Sequence, residues 1–232
     1  MNAILEQGIQ ALRQGDEDID KLIAGRHKEF VLLLEKYIAE IELFNPAYGL
    51  VGTSNNRELV IKHILDSLAP LGIIYRLLQQ KSPHNETEAA PQIADAGSGA
   101  GLPGIPLAIA LPQYEFTLIE RMGRRTGFLW NTKAALGLSN IAIEEGDVER
   151  TAPGRFGLVT FRAFKPLEPK LLKALFRACA DGACLAAYKG RHEKITEEMS
   201  PLKKLCGAWE AIPCPVPFLN EERHLLILHK AA

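Results

Sequence analysis

The chain has little of what would set it apart from an ordinary soluble globular protein. No run in its 232 residues approaches the apolar length, roughly 18 residues, that a membrane-spanning helix needs, so no membrane partner is expected. Met1–Asp20 carries acids and no apolar stretch, which argues against a secretory signal. The four cysteines, Cys179, Cys184, Cys206 and Cys214, form no CxxC pair and share no ligand spacing with histidine. That argues against a metal site and a disulfide framework, and points to reduced thiols in a cytoplasmic protein. Internal repeats and low-complexity tracts are also lacking. So is an excess of either charge: the net charge is −1, and bulk electrostatics names no partner.

Charge is unevenly spread along the chain. Residues 1–50 hold nine acids against five bases. Residues 121–133 hold Arg121, Arg124, Arg125 and Lys133 with no acid. Residues 162–194 hold eight bases against three acids, Lys165, Lys189 and Arg191 among them. Such stretches are either solvated helix faces or contacts to an anionic partner.

The hydrophobic pattern divides the chain in two. Up to about residue 43 it recurs at helical spacing, as in Phe30, Leu33, Leu34, Tyr37, Ile38 and Ile41. Gly15 and Asp16 are expected to split this run, and Asn45-Pro46 to end it. A further helix is expected over Asn56 to about Leu71, and the polar segment 81–91 reads as a loop. From residue 92 strands and helices alternate. Strands are expected at 92–96, 115–120, 141–145, 156–161, 184–188, 209–213 and 224–229, with helices at 105–111, 124–136 and 168–179. This predicts a doubly wound α/β fold of Rossmann-like type: a mostly parallel, seven-stranded sheet with an N-terminal helical extension. We read residues 1–80 as that extension and 81–232 as the core, within one compact domain.

The sharpest motif is Asp95-Ala96-Gly97-Ser98-Gly99-Ala100-Gly101, between a strand and a helix. In a parallel sheet this first turn borders the ligand crevice. Glu120 ends the next strand, where an acid can accept from ribose hydroxyls. The glycines run GxGxG rather than GxGxxG. Pro103 and Pro106 then remove amide donors that a pyrophosphate would use, and Asp95 would repel one. These features favour S-adenosylmethionine over a dinucleotide, with Asp95 orienting its cationic methionine end. The turn after the third strand, with Asp147 and Val148, is placed to read the adenine.

The methylated atom can be narrowed by elimination. The Asp/Asn-Pro-Pro-aromatic turn of exocyclic-amine methyltransferases is absent after the fourth strand, which runs into Arg162-Ala163-Phe164-Lys165. No cysteine nucleophile ends that strand, and Pro213-Cys214-Pro215 is expected to be structural and distant from the crevice. A target that is already nucleophilic, such as guanine N7, remains. Arg162 is placed to hold an acceptor such as O6 or a phosphate, and Lys189 to serve a phosphate. His63 and Asp66, at i,i+3 spacing, either border the cofactor pocket or form a local helix pair, and the local pair is the preferred reading.

These residues resemble the bacterial small-subunit ribosomal RNA (guanine-N7)-methyltransferase G family, also called glucose-inhibited division protein B. The match spans roughly residues 30–230. It runs through Phe44-Asn45-Pro46-Ala47-Tyr48, His63-Ile64-Leu65-Asp66-Ser67, the segment Asp95–Leu107, Arg162-Ala163-Phe164, Tyr188-Lys189-Gly190 and Glu222-Arg223-His224-Leu225. Gly49, Val51, Asp147 and Phe161 depart from the family pattern, and 81–90 looks like an insertion. The resemblance implies class I S-adenosylmethionine-dependent methylation of 16S rRNA, as naked RNA or in the small ribosomal subunit; a monomer is expected. It implies that Gly97 and Leu102 line the cofactor loop, that Val148 and Glu149 flank the adenine, and that Arg162 lies at the cofactor and base site. It also makes RNA contact the favoured role for Arg121, Arg124, Arg125, Lys165, Lys189 and Arg191. A small-molecule methyltransferase and a non-catalytic ribosome-binding protein remain the alternatives.

Overall fold

A computed structural model describes residues 2–80, 91–162 and 167–231. The segment 81–90 and Lys165 lie outside those residues. The seven strands are β1 (Ile93–Ala96), β2 (Phe116–Glu120), β3 (Ile141–Glu145), β4 (Phe156–Arg162), β5 (Cys179–Lys189), β6 (Cys206–Pro213) and β7 (His224–Lys230). They form one sheet in the order β3-β2-β1-β4-β5-β7-β6, parallel except for β7, which runs against both β5 and β6. Every residue of β1 and β2 is buried, as expected for parallel strands covered on both faces.

Alternate residues of each strand enter different cores. Ile93, Leu118, Leu158, Ala186 and Ile227 pack on the face covered by the N-terminal helices, α7 (Gly104–Ala110) and α8 (Gly123–Leu136). Ala94, Ile119, Val159, Leu185 and Leu226 pack on the opposite face, under α9 (Pro169–Ala178) and α10 (His192–Met199). A one-residue register slip would exchange the two sets, so the period-2 pattern pins the register.

The N-terminal helices are α1 (Ala3–Gly15), α2 (Glu17–Ile23) and α3 (His27–Tyr48). Asp16 divides the first two by capping α2, accepting from the N–H groups of Asp18 and Ile19. Such a cap contributes about 1 kcal/mol. The expected stop at Asn45-Pro46 is not where α3 ends. The helix continues past it and stops at Gly49, whose φ of 59° is left-handed. Pro46 removes one N–H, but only in the last turn. The Asn45 side chain meanwhile ties the exit together, accepting from Val51 N and donating to Thr53 O.

The single helix expected over 56–71 is also corrected. It is α4 (Asn56–Leu59), a wide π turn (Val60–Leu65) and α5 (Asp66–Leu68), followed by a separate α6 (Leu71–Gln79) begun after Pro70. The wider i→i+5 bonding of the π turn rotates α5 relative to α4; such turns are frequent at functional sites. Strand β5 is longer than expected because it starts directly at the end of α9. Helix α10 had not been expected from the sequence.

Candidate functional site

Among the described residues, two cavities open at the carboxyl edge of the sheet. The first, of about 400 Å³, lies over the ends of β1, β2 and β3 and is lined by Gly97, Glu120, Arg121, Asp147, Val148 and Glu149. The second, of about 330 Å³, lies over β4, β5 and the start of β7. His63, Asp66, Arg162, Tyr188, Cys214 and Arg223 line it.

The first cavity is shaped by the glycine loop. Gly97, Gly99 and Gly101 have φ of 69°, 58° and 88°, conformations that a side chain would strain. The loop is tied from three sides. Tyr37 Oη on α3 donates to Ala100 O at 2.7 Å, and Ser98 Oγ donates to Asp95 O at 2.8 Å. Glu120 accepts from Gly99 N and Met122 N, both at 2.9 Å, with one carboxylate oxygen each. A carboxylate has about four acceptor positions, so two remain for ligand hydroxyls. The residues expected to bind cofactor therefore divide in two. Gly97, Glu120, Asp147, Val148 and Glu149 are on the wall. Gly101 and Leu102 face inward and act through the loop's shape, since a Cβ on Gly101 would lie 2.4 Å from Ile105 Cδ1 and Leu102 joins the core.

Asp95 lies beneath the loop rather than on the wall. It is fully buried, and its Oδ2 accepts from Gly104 N at 2.9 Å. Gly104 permits this approach because a Cβ there would sit 2.7 Å from Oδ2. Burial pushes the Asp95 carboxyl up to about 7, against the lowering effect of the Gly104 hydrogen bond and of Arg162. Its Oδ1 has no hydrogen-bond partner among the described residues. The positive-φ loop, the spare acceptor capacity of Glu120 and this unpartnered oxygen fit a ribose-bearing cofactor with a cationic end.

The second cavity is an ionic network that the sequence did not reveal. Arg162 Nη1 donates to Asp66 Oδ2 at 2.8 Å and to Lys62 O at 3.2 Å. Its Nη2 donates to His63 Nδ1 at 3.0 Å. Arg223 Nε donates to the other Asp66 oxygen at 3.0 Å. His63 and Asp66 are thus not a local helix pair: the π turn presents both to Arg162, about a hundred residues away in sequence. Tyr188 Oη donates to Ser67 O at 2.8 Å and holds α5, which follows the π turn, against β5. Cys214, expected far from the crevice, is on this wall as well. Burial raises its thiol to about 11, so little thiolate exists at neutral pH and a nucleophilic role is disfavoured. Arg223 carried no functional expectation. Its only signal was its place in the resembling segment Glu222–Leu225.

The basic residues expected to meet RNA are placed unequally. Arg121 and Arg191 are exposed, and Arg121 is on the rim of the first cavity. Arg124 points back to α3, 3.5 Å from Ala47 O and 5.9 Å from the Tyr48 ring centroid. Arg125 lines the first cavity, with a buried Nε that has no partner among the described residues. Lys189 is paired with Glu198 at 2.7 Å, its side chain 16% exposed. Among the described residues, no helix is long and apolar enough to cross a membrane.

A family model described as rRNA small subunit methyltransferase G matches residues 31–226. A ribosomal RNA small subunit methyltransferase G from Treponema denticola is 36% identical, over 99% of this chain and 94% of the relative. One from Treponema pallidum is 39% identical, over 85% of this chain and 84% of its own. Among solved structures, a tRNA methyltransferase from Aquifex aeolicus superposes with a TM-score of 0.54 at 13% identity, covering 70% of this chain and 69% of that one. At that identity the likeness concerns the fold.

Proposed function

We infer, for a chain that belongs to the rRNA small subunit methyltransferase G family, an S-adenosylmethionine-dependent enzyme whose acceptor is N7 of a guanine in 16S rRNA. The observation that carries the choice of atom is the chemistry of the second cavity's wall. It offers donors, from Arg162 and Arg223, and two groups on it that could serve as base or nucleophile, His63 and Cys214, are disfavoured in those roles. Burial, followed by the Arg162 charge, lowers His63 to about 4, so it is a weak proton acceptor at neutral pH. Cys214 is held as the thiol. Guanine N7 needs neither, because its lone pair is free at neutral pH.

The cofactor supplies an electrophilic methyl group on a sulfonium. In this reading Glu120 accepts from its ribose, the loop around Gly97 and Gly99 lies against it, and the turn Asp147–Glu149 borders its adenine. Asp95, buried beneath the loop, acts on the cationic end through the loop rather than by contact, with Oδ2 holding Gly104. Arg162 makes three hydrogen bonds within the protein and has five N–H donors, so it retains donors for O6 or a phosphate. Catalysis is then largely positioning of the base beside the methyl group. We place the enzyme in the cytoplasm, as a monomer in which helices 1–80 and the core 81–232 act as one unit, consistent with the continuous hydrophobic cluster they share.

The test is methyl transfer from labelled S-adenosylmethionine to 16S rRNA, free and in small ribosomal subunits, from cells whose gene for this chain is deleted. The expected product is one 7-methylguanosine, located by mass mapping. A methyl group on an exocyclic amine or a pyrimidine carbon would overturn the N7 reading.

A further inference from the structure

The second cavity holds an imidazole whose proton position is dictated by its neighbour. An arginine N–H can only donate, so His63 Nδ1, 3.0 Å from Arg162 Nη2, is the unprotonated nitrogen. A neutral imidazole carries one N–H, which therefore sits on Nε2. That nitrogen makes no hydrogen bond to another described residue, and the ring is on the cavity wall. We propose that His63 is a specificity-determining residue that donates from Nε2–H to O6 of the target guanine, in a tautomer imposed by Arg162. The proposal rests on the guanine reading and adds the group that selects the base.

The supporting framework ties three elements to one carboxylate. Asp66 accepts from Arg162 with one oxygen and from Arg223 with the other, at 2.8 and 3.0 Å, and is itself buried. Arg162 is thereby fixed from β4 and Arg223 from the approach to β7, and Arg162 fixes the ring. A protonated His63 would turn a second N–H against a guanidinium. Burial and the Arg162 charge both oppose that form, so the donor–acceptor pattern persists through neutral pH. Asp66 is a positioning residue in this scheme, since it acts through the arginines.

The chemistry discriminates between purines. Beside N7, guanine presents the O6 acceptor, whereas adenine presents an N6 amine donor. A fixed Nε2–H pairs with the first and meets the second donor to donor. A site built to bond one group rejects the analogue that leaves its buried polar atom unpaired. O6 has two lone pairs, so an Arg162 N–H can approach it as well.

Two side-chain amides separate this role from a structural one. In His63→Gln the amide nitrogen reaches the position of Nε2, whereas in His63→Asn an amide atom replaces only Nδ1 and the cavity-facing donor is lost. Single-turnover methylation of small subunits from deletion cells should fall by about tenfold or less in His63→Gln, and by about 100-fold in His63→Asn, the scale of one unpaired buried polar group. S-adenosylmethionine affinity should be unchanged in both. Equal rates for the two variants would overturn the proposal. Should either variant fail to fold, the wild-type protein decides. Long-range proton–nitrogen correlation NMR should show the Nε2–H tautomer of His63, and the Nδ1–H tautomer would overturn it. If instead the wild-type enzyme places no methyl on guanine N7, it is the proposed function that fails, and the tautomer result stands apart from that.

Discussion

The two cavities share one sheet edge and are built in opposite ways. The first comes from consecutive strand-turn units: β1 and its glycine loop, β2 and Glu120, β3 and the turn Asp147–Glu149. The second gathers His63, Arg162, Tyr188, Cys214 and Arg223, from distant parts of the chain, around the Asp66 carboxylate. The first needs glycines, because its loop takes left-handed φ values that a side chain would strain. The second needs charge balance, because two guanidiniums share Asp66. Local construction tolerates change in the distant chain. A network of remote groups fails when any one member leaves.

The largest effect should therefore come from Asp66→Ala. It strands two arginine side chains, of which Arg162 is only 12% exposed. Breaking a buried pair by removing one partner costs about 3–5 kcal/mol. Urea unfolding should show a loss on that scale, and methyl transfer should collapse. S-adenosylmethionine affinity of the folded fraction should hold, because the first cavity does not use Asp66. A variant of wild-type stability would show that the network contributes little and would erase the contrast between the cavities.

Glu120→Ala tests the other side. Each charge-assisted hydrogen bond to a ribose hydroxyl contributes about 1.5–3 kcal/mol. Calorimetry should show cofactor binding weakened by at least tenfold, about 1.4 kcal/mol or more. Gly99 N and Met122 N also lose their acceptor, so some loosening of the loop is expected with it. An unchanged dissociation constant in a folded variant would remove Glu120 from the cofactor site.

This contrast also explains what was legible in the sequence. The mostly parallel, helix-covered sheet follows from the alternation of strands and helices, and the boundaries of β3 match the expected 141–145 because the buried Ile141 and Ile143 alternate with the exposed Ala142 and the half-buried Glu144. The glycine loop and Glu120 were legible because their spacing is local. The second cavity was not. Spacing along one helix made His63 and Asp66 look like partners of each other, since nothing local signals a π turn. Lys189 looked free because Glu198, which neutralises it, belongs to α10, where the apolar signal is short: only Ile195 and Met199 are buried. Pro46 suggested a helix end, but the left-handed Gly49 sets it.

A smaller effect is expected from pH, and it again separates the cavities. His63 is lowered to about 4 from 6.5, so the unfolded chain binds its proton more readily. Its contribution to stability is present above pH 6.5 and is lost as pH falls toward 4. Asp95 is raised to about 7 from 3.8, so the folded chain binds that proton more readily. Its contribution runs the other way, lost as pH rises from about 4 to 7. The urea midpoint of His63→Gln, relative to wild type, should rise as the buffer is taken from pH 7.5 to pH 4.5, across the His63 window. A difference independent of pH would show that His63 titrates normally in the folded protein.

The smallest effect expected is on the salt dependence of RNA binding, and it ranks the basic residues by what already neutralises them. Each phosphate neutralised by a free cation contributes about 0.7–0.9 to the slope of log K against log salt. Arg191, exposed just past Gly190 on the second cavity's wall, and Arg121, exposed on the rim of the first, are free to make such contacts. Lys189 is not, because Glu198 sits 2.7 Å from its Nζ and swinging to a phosphate would strand that carboxylate. Arg124 is engaged with Ala47 O and the Tyr48 ring. Binding of 16S rRNA, titrated from low to high salt, should therefore lose slope in Arg121→Gln and Arg191→Gln and keep it in Lys189→Gln. If Lys189→Gln lowers the slope as much as Arg191→Gln does, the Glu198 pair opens on binding, and the second cavity is less fixed than its network implies. If Arg191→Gln alone lowers it, the RNA approaches over the second cavity and leaves the cofactor rim in water.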